Sequence, residues 1–259
     1  GMPAPGVPVT LSFRTGEKHT SFAITSKEGD KLYLLAYYIT PDIWDDIQLE
    51  QLYYSHTPLQ QSFYEVKVSF DHTPAALLSN AAYRYEEAGN VSAALWGTAA
   101  GSVQSEQVAA WQVQNLFTVP ADVKHWISQK FPAAKTWHQY SVSLHTMGSA
   151  SPGGTVLVDI RKDDFTMLVV KEGRLLLAQV YTYETPDDVL YYLLRATDEW
   201  GLSRENCELL LSGLVDQQSS LYKELYLYFI SIGFRQNNWN TGEYPSHFFT
   251  SLNDLARCG

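Results

Sequence analysis

The sequence is poor in cysteine: its 259 residues include only Cys207 and Cys258. Two isolated thiols are too few for a disulfide framework or for a zinc site built on cysteines. Unpaired cysteines are typical of a reducing compartment, so we predict a cytoplasmic protein whose thiols stay reduced. A structural role for metal or disulfide crosslinks is therefore not expected.

Basic residues are also scarce. The chain has 18 Lys and Arg against 28 Asp and Glu, which gives a formal net charge of −10. Proteins that bind nucleic acids neutralise phosphates with a basic face, and no cluster of lysines and arginines occurs here. This balance disfavours nucleic acids and anionic membranes as partners.

Long apolar runs are missing as well. No stretch reaches the roughly 18 apolar residues that a membrane-spanning helix needs, so we predict no membrane insertion. Residues 1–8 are rich in Pro and Gly, and we predict that they are disordered. Residues 246–257 form a candidate amphipathic helix, but Arg257 is the only lysine or arginine on its polar face, so we expect it to pack on the core rather than on a membrane.

Several catalytic motifs are absent. The chain contains no HExxH, no G-x-S-x-G, no Walker lysine loop and no G-x-G-x-x-G. Seven histidines are scattered, and although His138 and His145 fit one helix face, no carboxylate joins them at the spacing of metal ligands. We therefore predict no metal site.

Strand signals dominate what is present. In two parts of the chain, three apolar runs follow one another with short polar breaks between them, which predicts a three-stranded antiparallel meander in each part. The runs are residues 9–13, 19–25 and 31–39, and residues 156–160, 165–170 and 175–183.

A helix signal follows each meander. Pro41 and Pro186 each stand between a threonine and an aspartate, and proline with acids in the first turn marks a helix start. The apolar spacing predicts helices over 42–54 and 187–200. The repeated order predicts two lobes. We place a disordered segment at 1–8, the first lobe at 9–147, a Gly/Ser-rich linker at 148–154, and the second lobe with a C-terminal helix at 155–259.

This order resembles the actin-like ATPase superfamily. With its ending around Phe248, Phe249 and Cys258, the chain is similar to an uncharacterised Bacteroidetes family of unknown function that is assigned the actin-like fold. The resemblance implies an α/β protein with two duplicated ribonuclease H-like lobes, each opening with a three-stranded antiparallel meander followed by βαβα units.

The resemblance also implies an Asp-x-Gly element in the first hairpin of each lobe, where glycine admits phosphates and the aspartate holds a metal ion. The second lobe has Asp159, with Arg161 at the glycine position and Thr166 as a candidate hydroxyl. An aspartate in this place also caps turns. In the first lobe Arg14 stands where the aspartate belongs, followed by Thr15 and Gly16.

The adenosine element is altered too. A strand leads into Ser212 and Gly213, but Leu214 follows where a second glycine is expected. A side chain there hinders close approach to a base or ribose. Three such departures predict degraded phosphate loops and a pseudo-ATPase.

The leading hypothesis is a non-catalytic protein-interaction or scaffold module with a protein partner and no cofactor. The alternative is an ATPase or phosphotransferase, and only this alternative requires ATP and Mg²⁺. Its catalytic candidates are Asp159 and Thr166, and its nucleotide-binding candidates are Arg14, Thr15, Gly16, Ser212 and Gly213. A sensor that binds a small ligand between the lobes is a third possibility. A ribonuclease H-like nuclease with Asp159 as its first acid is a fourth, which the net charge disfavours.

Overall fold

The structure, a computed structural model, describes residues 1–4, 6–84, 87–97, 102–148 and 150–259. These residues form two compact units: Gly1–Thr146 together with Leu252–Gly259, and Met147–Ser251. Residue 5 of the predicted disordered segment and residue 149 of the predicted linker lie outside the described residues. The sequence analysis assigned the last residues to the second lobe, whereas in the structure Leu252–Gly259 packs in the first unit.

The first unit is built on a five-stranded sheet of order β3-β2-β1-β4-β8. Strands β1, β2 and β3 are antiparallel neighbours, which confirms the first predicted meander, and β4 and β8 run parallel to β1. The strands are β1 (Val9–Gly16), β2 (His19–Ser26), β3 (Leu32–Ile39), β4 (Glu65–Asp71) and β8 (Lys135–His138).

Alternation along β1 divides the two faces of this sheet. Leu11 and Phe13 point into the apolar core, and the Phe13 ring lies 6.0 Å from Trp126. Since successive side chains of a strand point to opposite faces, Arg14 lies on the other, polar face. Helices α1 (Asp46–Ser55) and α3 (Ala121–Lys130) contribute to the core, and α4 (Gln139–Thr146) follows β8 directly.

A second, smaller sheet is inserted between β4 and α3. It consists of β5 (Ala75–Ser79), β6 (Ser102–Val108) and β7 (Val113–Val119), with α2 (Ala88–Trp96) before β6. Its order is β5-β7-β6, and both pairings are antiparallel. The sequence analysis left most of this segment unassigned.

The second unit repeats the strand order of the first, as β11-β10-β9-β12-β13. Strands β9 (Thr155–Ile160), β10 (Asp164–Lys171) and β11 (Arg174–Thr182) form the second predicted meander. Strands β12 (Glu208–Gly213) and β13 (Ser231–Phe234) are parallel to β9. Helices α5 (Pro186–Glu199) and α6 (Ser220–Tyr226) contribute to its apolar core.

Helix starts follow capping rather than proline alone. Helix α5 begins as predicted, because Thr185 and Asp188 form a reciprocal capping box around Pro186. Helix α1 begins at Asp46 instead of the predicted residue 42. The reason is that the Asp45 side chain accepts a hydrogen bond from Gln48 N at 2.9 Å and so caps the helix.

One other helix prediction needs correction. Residues 246–257 divide into a 3₁₀ turn, Ser246–Phe249, and helix α7, Thr250–Arg257. The expected burial of the apolar face of α7 is confirmed at Leu252 and Leu255. Within the described ranges, no helix has the length and apolar content needed to cross a bilayer.

Candidate functional site

The second unit brings the predicted aspartate, threonine, serine and glycine together where β9 and β12 end. Asp159 on β9 is in register with Thr166 on β10 and with Ser212 on β12, and Gly213 is in register with Ile160. In open sheets with parallel strands, the carboxyl ends of the strands are where ligands usually bind. The sequence candidates of this lobe therefore form one cluster.

The carboxylate of Asp159 is engaged at both oxygens. Oδ1 accepts a hydrogen bond from Ser212 Oγ at 3.0 Å, and Oδ2 accepts one from Ser251 Oγ at 2.9 Å. Hydrogen bonds to an ionised carboxylate are stronger than neutral ones. Sequence reasoning missed Ser251, because it lies in α7, far along the chain, and no motif marks it.

The side chain of Arg161 folds back into its own hairpin. Its Nη1 donates to Thr166 Oγ1 at 3.0 Å and lies 3.7 Å from Asp159 Oδ2, while its Nε donates to Asp164. Arg161 is only 6% exposed. The guanidinium thus occupies the hairpin in which the actin-like pattern expects a glycine.

Gly213 is required by the approach of two strands. Its φ is +81°, and a Cβ at this position would lie 2.1 Å from the carbonyl oxygen of Ile160. The next residue, Leu214, donates its N–H to that same oxygen at 2.8 Å. The close approach that glycine permits here is therefore to strand β9.

The first unit places Arg14 in a buried ion pair. Arg14 Nη2 lies 2.7 Å from Asp71 Oδ2, and His19 Nε2 lies 3.0 Å from the same oxygen. The side chains of Arg14 and Asp71 are 4% and 2% exposed. Losing one partner of such a pair leaves an uncompensated buried charge. Each side chain therefore compensates the buried charge of the other.

Thr15 and Gly16 support this arrangement without facing an open space. Thr15 Oγ1 lies 3.0 Å from Thr20 Oγ1 across the hairpin, where both are buried. A Cβ on Gly16 would lie 2.4 Å from His19 Nε2. The absent side chain at Gly16 is what allows the His19 ring to reach Asp71.

Two further histidines, His72 and His138, lie where β4 and β8 end. His72 is 2% exposed, and its burial lowers its pKa to about 3 although the neighbouring Asp71 opposes the shift. The His138 Nε2–H donates to the His72 carbonyl at 2.9 Å, so its Nδ1 accepts from Tyr140 N. Both imidazole rings are therefore neutral, so neither adds a charge next to Asp71.

Sequence reasoning did not single out Asp71 or His72 as site residues. The available signal was an aspartate at the end of a buried strand, because Asp71 is the last residue of β4 and Asp159 lies one residue before the end of β9. Among the described residues, no group of three His, Cys, Asp or Glu side chains is arranged to hold a metal ion.

A comparison with protein families matches residues 8–232 to the family described as "Protein of unknown function (DUF3822)". The comparison with curated proteins gave no match. Among solved structures, a Bacteroides thetaiotaomicron protein with an actin-like ATPase fold and unknown function aligns with a TM-score of 0.80 at 19% identity, covering 100% of both chains.

Two other solved structures share the fold at lower identity. The PilM–PilN type IV pilus biogenesis complex aligns with a TM-score of 0.63 at 11% identity, covering 95% of this chain and 97% of the other. The ethanolamine utilization protein EutJ from Carboxydothermus hydrogenoformans aligns at 0.55 and 9%, covering 100% of this chain and 91% of the other. The predicted actin-like fold is confirmed.

Proposed function

The chain belongs to the DUF3822 family of proteins of unknown function, and we propose that it is a non-catalytic protein-interaction module built on the actin-like ATPase fold. Its phosphate-binding elements are occupied by the protein's own side chains. The partner is another protein, and neither a nucleotide nor a metal ion is needed for its binding. The low basic content argues against nucleic acid, and two buried thiols without a disulfide fit a cytoplasmic location.

The arrangement around Arg161 carries this proposal. Phosphate groups bind where backbone N–H groups are accessible, usually at glycines. In this hairpin the guanidinium of Arg161 is buried and bonded to Thr166 and Asp164. Opening the site to a triphosphate would require breaking both contacts.

The two carboxylates at the strand ends, Asp159 in the second unit and Asp71 in the first, support the same conclusion. Mg²⁺ is held by one or two carboxylates together with substrate phosphates and water. Asp159 accepts two hydroxyl hydrogen bonds, and Asp71 is shared by Arg14 and His19. Each carboxylate is thereby committed to neighbouring side chains.

The fold itself is compatible with a role in protein assembly. PilM, which shares the fold, was solved in complex with PilN. Fold alone does not establish function, so this likeness supports the proposal only together with the occupied hairpin.

Isothermal calorimetry with ATP, with and without Mg²⁺, tests the proposal. We expect no binding heat up to about 1 mM ATP, which corresponds to a binding free energy weaker than about −4 kcal/mol. The substitution Arg161→Gly serves as the matched variant, because it empties the hairpin and leaves the Asp159 side chain with its two hydroxyl donors, although it removes the 3.7 Å ion pair between Arg161 and Asp159. Micromolar affinity of the unmodified protein with measurable ATP turnover would refute the proposal.

One observation favours the alternative, an ATPase or phosphotransferase. Asp159, Thr166 and Ser212 do lie side by side on three adjacent strands, which is an arrangement from which a phosphate site could be built if Arg161 moved away. Under this alternative, Asp159→Asn abolishes turnover while the melting temperature stays near that of the parent. Unchanged turnover in that variant eliminates the alternative.

A further inference from the structure

A cavity of about 130 Å³ lies in the first unit between the main sheet, the inserted sheet and α3. Its walls are mostly apolar. The apolar lining residues are Phe70, Phe117, Ile127, Phe131, Pro132 and Ala134. The cavity is partly open, so it can be reached without unfolding the unit.

Its size restricts what can enter. Pockets for drug-sized ligands measure roughly 300–1,000 Å³, whereas a cavity of about 150 Å³ with apolar walls accommodates benzene. The space therefore matches one Leu, Ile or Phe side chain. A nucleotide does not fit.

Two sheet edges flank the cavity. β8 is the last strand of the five-stranded sheet and β6 the last of the three-stranded sheet, and among the residues that the structure describes no strand pairs with the outer edge of either. Gln104 on β6 and Thr136 on β8 both line the cavity. The edges meet at one point, where His138 N donates to Glu106 Oε1 at 2.8 Å.

An extended backbone is the chemical group that such an edge accepts. Lys135 and Thr136 of β8 are exposed, so the edge is accessible beside the cavity. Lys124 is the charged side chain among the lining residues, and its positive charge favours an acidic group and disfavours a basic one next to the bound apolar residue.

We infer that this cavity binds one large apolar side chain of an extended peptide segment from a protein partner, whose backbone pairs with the outer edge of β8. The favoured segment carries Leu, Ile or Phe with an acidic neighbour. This inference rests on the proposed interaction function, for which it names the partner chemistry and the place of contact.

The test begins with a random library of short displayed peptides selected on the full chain. The affinity of a selected peptide is then compared by fluorescence polarisation between Ser128→Trp and Gln129→Trp. Ser128 lines the cavity and is exposed, so a tryptophan there blocks the opening without altering the core; Gln129 is also exposed on α3 and is the matched control.

We expect selected peptides to share a large apolar residue. Ser128→Trp should weaken them about 10- to 100-fold, the loss that corresponds to one buried apolar side chain, while Gln129→Trp should bind within about twofold of the parent. Hydrogen exchange should show slower exchange within residues 135–137 of β8 when peptide is bound, whereas the His138 N–H already donates to Glu106 and should change little. Equal binding to both variants, or no peptide retained at about 100 μM, overturns the inference.

A second copy of the chain is the competing occupant. A dimer that disappears in Ser128→Trp during light-scattering measurements would overturn the inference in favour of self-association. Failure here is distinguishable from failure of the proposed function. ATP turnover with peptides still bound at the cavity refutes only the non-catalytic function, and absence of both ATP and peptide binding refutes only this inference.

Discussion

Replacing Glu106 by glutamine should stabilise the first unit in alkaline but not in acidic solution. Glu106 on β6 is partly buried, and its Oε1 accepts a hydrogen bond from His138 N. Burial raises the pKa of this carboxyl to about 7, although hydrogen bonds with Ser141, His138 and Asn115 lower it. The protonated form is thus the one that the folded protein favours.

The sign and size follow from the two pKa values. The folded-state pKa of about 7 lies above the ordinary 4.5, so the folded state binds more protons than the unfolded one between these values. Its contribution to stability is complete below pH 4.5 and is lost as pH rises through 7. At roughly 1.4 kcal/mol per pH unit, the loss above pH 7 is about 3 kcal/mol at most.

Glutamine retains the acceptor for His138 N but carries no charge. We therefore expect Glu106→Gln to unfold at higher urea concentration at pH 8.5, with a gain of up to about 3 kcal/mol, and to gain less than about 1 kcal/mol at pH 5. Tryptophan fluorescence reports the transition, because Trp126 lies in the core of this unit. Glu87→Gln, at an exposed glutamate, is the control and should change little at either pH.

Two results would contradict this reasoning. A stability difference that is the same at pH 5 and pH 8.5 would mean that Glu106 does not titrate between them. A variant less stable than the parent at pH 8.5 would mean that the ionised carboxylate contributes net stability through its neighbours.

Three further substitutions test the remaining buried features. Since the pKa of His72 falls from 6.5 to about 3 on folding, the neutral ring's contribution to stability is complete above pH 6.5 and is lost as pH falls towards 3. His72→Phe should therefore lose less stability than the parent between pH 7 and pH 4 in urea titrations. An unchanged pH dependence would show that His72 does not cause the loss. Gly213→Ala should lower the free energy of unfolding by at least about 3 kcal/mol, because strain from positive φ adds to a backbone clash. The control Gly173→Ala, whose Cβ meets open space at φ +71°, should lower it by about 1 kcal/mol. Equal losses in denaturant unfolding would refute the clash at Gly213. Lys67 Nζ donates to two backbone carbonyls at the end of α7, so Lys67→Met should lower the free energy of unfolding by about 2–4 kcal/mol. The control Lys135→Met, at a half-exposed side chain, should lower it by less than about 1 kcal/mol. Similar melting temperatures for both variants would show that these two hydrogen bonds of Lys67 contribute nothing to stability.

Local pattern predicted most of the regular structure. Apolar runs with short polar breaks located both meanders, and Pro186 with the acids that follow it located α5. Prediction was weaker where local signals conflict. Residues 137–147 are such a segment, and the structure contains both a strand and a helix there, because β8 ends at His138 and α4 begins at Gln139.

Partners that are distant in sequence could not be predicted. Arg14 was singled out for replacing an aspartate, but nothing in its neighbourhood indicated that Asp71, on β4, would hold it. Likewise, Asp159 was a catalytic candidate only under the ATPase alternative, and nothing in the sequence indicated that Ser251 supplies one of its hydrogen bonds from α7. Such pairings depend on strand register and on helix position, which periodicity does not encode.

The sequence by itself determined the strands and helices of the two meander-and-helix segments and the residue types available at each strand end. Periodic burial of apolar side chains is a local property, so it can be recognised in the linear chain. Only the tertiary structure decided that Arg161 turns into its own hairpin, that Asp71 neutralises Arg14, and that β6 and β8 diverge around a cavity. These outcomes depend on which side chains fill a shared volume, and that volume exists only after the sheets have formed.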